Sequence, residues 1–127
     1  MATNQCIKNL LKLINLLQEN SQNKIRNNDG CLKPYLGPTC EAICYNTRVI
    51  TLYTKNGNLF TTTYLDENNS EISSSLFRVE KLNDNCVTLL ILREENGSYL
   101  STNSFITVNL NCICAIKCIT DTVVENL

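Results

Sequence analysis

Leu76-Phe77-Arg78-Val79-Glu80-Lys81-Leu82 runs through Asn83-Asp84-Asn85 into Cys86-Val87-Thr88-Leu89-Leu90-Ile91-Leu92-Arg93. The first run alternates, as a strand with one buried face does. The second is more continuously apolar from Val87 to Arg93, as suits a central strand covered on both faces. The trio of polar residues between them reads as a turn.

Working outward, strand signals continue on both sides. Arg48 to Tyr53 is rich in β-branched residues, and Lys55-Asn56-Gly57-Asn58 carries the Asn-Gly hairpin cue. Leu59 to Leu65 returns as a Thr-loaded strand, and Asp66 to Ser75 reads as a polar loop. Glu94-Glu95-Asn96-Gly97 is a second turn, followed by strands at Phe105 to Leu110 and Ile113 to Ile119. About six to eight short strands predict a mainly β fold, an antiparallel sandwich or jelly-roll-like pair of sheets.

Upstream the period changes. Ile7, Leu10, Leu11, Ile14 and Leu17 recur at helical spacing, Leu13 and Leu16 widen the stripe, and Thr3 or Asn4 can cap it. Such a helix either packs on its own domain or serves as a partner-binding arm. The expected organisation is a helix over residues 1–20, a Cys- and Pro-containing linker and loop over 21–44, and a β domain over 45–127, together one compact domain. Both prolines, Pro34 and Pro38, fall in the Cys31–Cys44 segment, which predicts an irregular loop pinned by crosslinks.

Composition narrows function. A chain of 127 residues can bury a core without crosslinks. The net charge of −1, with Lys and Arg scattered, offers nucleic acid no basic patch, and the absence of Trp leaves few stacking platforms. There is no His, so the usual general base and the commonest zinc ligand are missing, and Ser73-Ser74-Ser75 has no evident activator. No catalytic residue and no cofactor is expected, and the chain reads as a non-enzyme. No run approaches the ~18–20 apolar residues of a membrane span. Lys8, Asn9, Lys12 and Asn15 interrupt the N-terminal apolar positions, so no signal-peptide core is present. Asn96-Gly97-Ser98 is therefore not read as a glycosylation site.

Eight Cys is the outlier. Secretion would explain them, yet the chain reads as made in a reducing cytosol and built for later oxidation. Asn111-Cys112-Ile113-Cys114-Ala115-Ile116-Lys117-Cys118 is the sharpest feature. On a regular strand, alternation would put Cys112, Cys114 and Cys118 on one face. Neighbours two apart, at ~6.5–7 Å between Cα atoms, are too distant to bridge comfortably. Their partners are expected elsewhere: another strand, the Cys31–Cys44 loop or another subunit. Cys6, Cys31, Cys40 and Cys44 are the candidates. Cys86 is the one best read as a small buried apolar residue. The alternative is a zinc-binding adaptor module using Cys40, Cys44, Cys112 and Cys114, although neither pair has the common Cys-x₂-Cys spacing. A Cys-x-x-Cys redox motif is absent. Arg78 and Arg93, flanking the hairpin, are read as structural ion-pair formers.

The hairpin quoted first, together with Phe105 to Leu110 and Cys112-Ile113-Cys114-Ala115-Ile116-Lys117-Cys118, resembles the CotY/CotZ/ExsY family of bacterial spore coat and exosporium proteins. The likeness covers about Leu76 to Ile119; the N-terminal half matches in style. The chain departs from the family in having Asn83 and Asn85 at the central turn, where members often carry further Cys, and in lacking His. The resemblance implies a structural subunit of the endospore outer layer, coat or exosporium. It implies self-assembly into a two-dimensional lattice hardened by disulfides, with the chain itself and other coat proteins as partners. It also implies synthesis in the mother-cell cytoplasm and oxidation after release at the spore surface.

Overall fold

A computed structural model describes residues 5–23, 45–125 and 127. The proposed caps Thr3 and Asn4, and the loop holding Cys31, Pro34, Pro38, Cys40 and Cys44, lie outside the described residues.

The fold is mainly β with one N-terminal helix and two antiparallel sheets. Helix α1 spans Gln5–Asn23, so it continues into the polar residues that the sequence assigned to a linker. Among the described residues seven strands follow: β1 Thr47–Thr54, β2 Thr62–Leu65, β3 Glu71–Ser74, β4 Leu76–Leu82, β5 Cys86–Glu95, β6 Ser98–Asn109 and β7 Ile113–Thr122. Five of them form the main sheet in the order β6-β5-β4-β1-β7, and β2 with β3 forms the small one.

The expected central hairpin is β4–β5, in register from Leu76 opposite Leu92 to Leu82 opposite Val87. β5 lies inside the sheet, and its Leu89 to Leu92 are buried on both faces, which accounts for the unbroken apolar run. The β5–β6 turn is a two-residue one. Asn96 and Gly97 both take positive φ, at 55° and 82°, the primed-turn geometry that follows strand twist.

Two readings change. The strand expected at Leu59 begins only at Thr62, with Leu59 making a single bridge to Tyr53. The expected loop from Asp66 to Ser75 contains β3, paired with β2 from Thr62 opposite Ser74 to Leu65 opposite Glu71. Asp66 makes this hairpin possible. Its Oδ1 accepts from the backbone N–H of Asn68 at 2.9 Å and of Ser70 at 2.8 Å, and Asn69 takes φ 62°.

The core lies between α1 and one face of the main sheet. Ile7, Leu11 and Ile14 pack with Ile50, Leu52, Phe77, Val79, Val87, Leu89 and Ile113. Phe60 stacks on Phe77 with ring centroids 5.6 Å apart, bringing the stretch before β2 onto this core. The opposite face holds a smaller cluster of Val49, Leu90, Leu92 and Val124. On that side Arg78 is 4% exposed and fully engaged. Its Nε donates to Thr47 Oγ1 at 2.8 Å, Nη2 to the Asn46 carbonyl at 3.2 Å, and Nη1 to Glu80 at 2.5 Å. Arg93 pairs with Glu95 at 2.6 Å, so both arginines form the expected ion pairs.

Between β1 and β4 the register reduces to Ile50 opposite Phe77. Gln18 continues the buried helical stripe of Ile7, Leu11 and Ile14 and is 1% exposed. Its amide joins the two strands where they do not pair directly. Nε2 donates to the Val79 carbonyl on β4 at 2.8 Å, and Oε1 accepts from the Arg48 N–H on β1 at 3.0 Å.

Candidate crosslinking edge

Two apolar anchors shape the C-terminal thiol segment. Leu110 and Ile113 are 4% and 3% exposed, and both belong to the main core. Between them the chain makes a single 3-10 turn, Leu110–Cys112. The Asn109 side chain caps that turn, accepting from the Asn111 N–H at 2.8 Å. With its two ends held in the core, the turn presents Asn111 and Cys112 to solvent.

β7 then runs antiparallel to β1 as an edge strand of the main sheet. Its ladder is not regular. Ile113 opposes Thr54 and Ala115 opposes Tyr53, which leaves Cys114 as the extra residue of a bulge. Cys118 opposes Ile50 and Thr120 opposes Val49, which makes Ile119 the extra residue of a second. The simple alternation assumed from sequence therefore does not hold. Cys112 precedes the strand, Cys114 occupies a bulge, and Cys118 is the one with a ladder partner, opposite Ile50. All three are nevertheless exposed, along one edge of the sheet.

Bulges and an exposed Lys are devices that keep an edge from pairing with another strand. β7 has two bulges, with Lys117 exposed between them. The edge thus resists backbone pairing while leaving its thiols accessible.

The thiols differ in electrostatic setting. Cys118 lies beside the ion pair of Arg48 and Asp121, in which Nε donates to Oδ1 at 2.7 Å and Nη2 to Oδ2 at 3.0 Å. Burial pushes the Cys118 thiol above its ordinary pKa, Arg48 pulls it down, and Asp121 pushes it up again; the net direction is up. The bond to Asp121 in turn holds the Arg48 guanidinium above its usual value. A raised pKa keeps more of the sulfur as the less nucleophilic thiol.

Cys86 opens β5 opposite Asn109 and is half-buried. Cys6 is exposed on α1. These five described Cys are free thiols within the chain. Of the alternative zinc set, Cys40 and Cys44 lie outside the described residues. Among the described residues, no three Cys, Asp or Glu side chains converge as metal ligands would. No described helix is long and apolar enough to cross a membrane.

Sequence reasoning missed the Arg48–Asp121 pair and the Gln18 bridge. Gln18 was legible in principle, because a polar residue continuing an apolar helical stripe must find partners inside. Nothing local ties Arg48 to Asp121, far apart in the chain.

The sequence profile of the family described as Spore coat protein Z matches residues 1–99. The chain belongs to the Spore coat protein Z family. Membership gives it a structural role in the spore coat. The match includes the N-terminal helix and the central hairpin and stops within β6, so the Cys112–Cys118 segment lies beyond the span that defines this Spore coat protein Z relationship. The family is thus carried by more of the N-terminal half than the motif resemblance suggested. No curated protein matches the chain, and no solved structure does.

Proposed function

We propose that this chain is a self-assembling subunit of the spore outer layer, joined to its neighbours by disulfides from Cys112, Cys114 and Cys118. The observation that carries the reading is their exposure along one sheet edge, Cys112 in the turn before β7 and Cys114 and Cys118 on it, where two bulges discourage backbone pairing. Side-chain bridges are then the means of lateral growth that this edge offers. Cys31, Cys40 and Cys44 of a neighbouring subunit, or the same edge of a second copy, are the partners. Burial raises the Cys118 thiol above its ordinary value, which slows its own entry into a bridge.

The chemistry needs only an oxidant. Two thiols form one S–S bond and release two electrons and two protons, which dioxygen takes up as hydrogen peroxide. Many modest contacts acting together give a lattice its durability by avidity. Synthesis in the mother-cell cytoplasm and oxidation at the spore surface provide the sequence of conditions this requires. Other coat proteins bearing exposed thiols are further partners of the same chemistry.

Electron microscopy of air-oxidised protein, beside electrophoresis with and without reductant, tests the proposal. Ordered sheets or rings, with a covalent ladder abolished by reductant, are expected. A monomer indifferent to reductant, or one tightly bound zinc per chain and no assembly, would overturn it.

A further inference from the structure

The apolar sector of α1 is wider than its own sheet covers. Ile7, Leu11, Ile14 and Gln18 take the buried side. Turning about 100° per residue, Cys6, Asn9, Leu13 and Leu16 line a second side centred roughly 150° round the helix from it, and all four are exposed. Leu13 and Leu16 are 47% and 50% exposed. Their spacing of three, four and three residues is that of the a and d positions of a heptad.

We propose that this stripe is the contact for a second copy of the chain, with the two helices parallel and in register and Cys6 bonded to Cys6 across the pair. Register follows from what each residue would meet. In the parallel arrangement Cys6 faces Cys6, Asn9 faces Asn9, and the leucines face leucines. An antiparallel pairing centred on the stripe sets Asn9 against leucine, which strands its amide, and brings the two Lys12 ammonium groups onto one side of the seam. Asn9 is already oriented, since its Oδ1 accepts from Gln5 Nε2 at 3.1 Å, and its own amide N–H groups remain for the partner. A single polar residue in a heptad seam is a known means of fixing register.

The geometry suits a bridge. Helices packed ~8–10 Å apart, with Cα cylinders ~2.3 Å in radius, bring facing Cα atoms to roughly 3.4–5.4 Å, which overlaps the short end of the ~4.4–6.8 Å that a disulfide spans. Four side chains per helix fall well short of the ~1,000 Å² of a stable interface, so the contact is weak until Cys6 is oxidised. Two Cys6 thiols form one S–S bond, and dioxygen accepts the two electrons and two protons as hydrogen peroxide. The inference rests on the coat-assembly reading for its oxidising setting but not on the β7 edge; it removes Cys6 from the partners of that edge and gives the assembly a second, two-fold joint.

The test mixes ¹⁴N- and ¹⁵N-labelled full-length chain, oxidises it in air and maps disulfide peptides by mass spectrometry. A mixed-label Cys6–Cys6 peptide is expected. Its yield should fall at least about tenfold in Leu13→Glu/Leu16→Glu, and in the same direction in the milder Leu13→Ser/Leu16→Ser, because both remove the apolar seam. Circular dichroism of both variants should match the parent, since these side chains are exposed. Cys6 left free, Cys6 bridged within its own chain, or a Cys6–Cys6 yield indifferent to both substitutions overturns the inference. The same digest reads bridges from Cys112, Cys114 and Cys118. Their absence beside a Cys6–Cys6 peptide contradicts the β7 proposal alone, and the reverse result contradicts this one alone.

Discussion

The side-chain amide of Gln18 donates to the main-chain carbonyl of Val79, 2.8 Å away and 61 residues along the chain, and so fastens the helix to the middle of the sheet. The same side chain accepts from the Arg48 N–H at 3.0 Å, which makes it a substitute rung between β4 and β1. Replacing it with leucine keeps much of the volume and leaves the buried Val79 carbonyl and the part-buried Arg48 N–H without this partner. Gln18→Leu should therefore lose about 2 kcal/mol of stability despite being more apolar. Urea denaturation of the reduced protein measures this, and unchanged stability would show that the rung is dispensable.

Arg78 offers a sharper case on the opposite face. Its guanidinium reaches Thr47, Asn46 and Glu80 from a nearly closed position, so truncation leaves those acceptors facing a gap. Arg78→Met should cost about 3 kcal/mol. Adding Glu80→Gln to that variant should restore part of the loss, because it removes the charge left without a counter-ion. A double-mutant cycle by denaturant unfolding yields the coupling.

Thr51 predicts a gain. Its hydroxyl is buried in β1 and has no hydrogen-bond partner among the described residues. Thr51→Val keeps the shape and removes the stranded group, so the protein should become about 1 kcal/mol more stable. Thermal melting of the reduced chain is sufficient to see it.

Cys118 gives the pH dependence. Its thiol is raised by burial first, lowered by Arg48 and raised again by Asp121. A thiol whose folded pKa exceeds its unfolded value stabilises the fold below the unfolded pKa, and that contribution disappears as pH climbs through the folded value. Alkylation of Cys118 should accordingly set in at higher pH than for an unfolded thiol. Asp121→Asn removes the like charge and frees Arg48 to act on the sulfur, so it should shift the onset downward. Peptide-resolved iodoacetamide labelling across pH reads the shift; no movement would mean that burial alone governs this thiol.

The hairpin at the centre of the sheet was readable because its information is local. Alternation in Leu76–Leu82, the apolar run in β5 and the Asn96-Gly97 turn each declare themselves within a few residues. β3 was not readable, since Glu71-Ile72-Ser73-Ser74 has no apolar alternation and is made a strand by the Asp66 turn that folds it onto β2. The thiol edge was half legible. Three Cys in seven positions marked it, but Ile-Cys-Ala carries no bulge signal. The bulge at Cys114 exists because Ile113 on one side and Ile116 on the other are both held against the core. That constraint comes from α1 and β1 and is written nowhere near Cys114. The position of β7 at the rim of the sheet likewise follows from strand order, which no local pattern contains.

The most direct test of the central claim is to mix ¹⁴N- and ¹⁵N-labelled chains before air oxidation and to determine which label each bridge from Cys112, Cys114 and Cys118 carries. The account predicts mixed-label peptides from this edge in the statistical proportion of about one half. In Cys112→Ser/Cys114→Ser/Cys118→Ser these peptides vanish, and no covalent species larger than the Cys6-linked dimer should accumulate. Edge thiols that stay free in air, or bridges that always join two peptides of the same label, would contradict it.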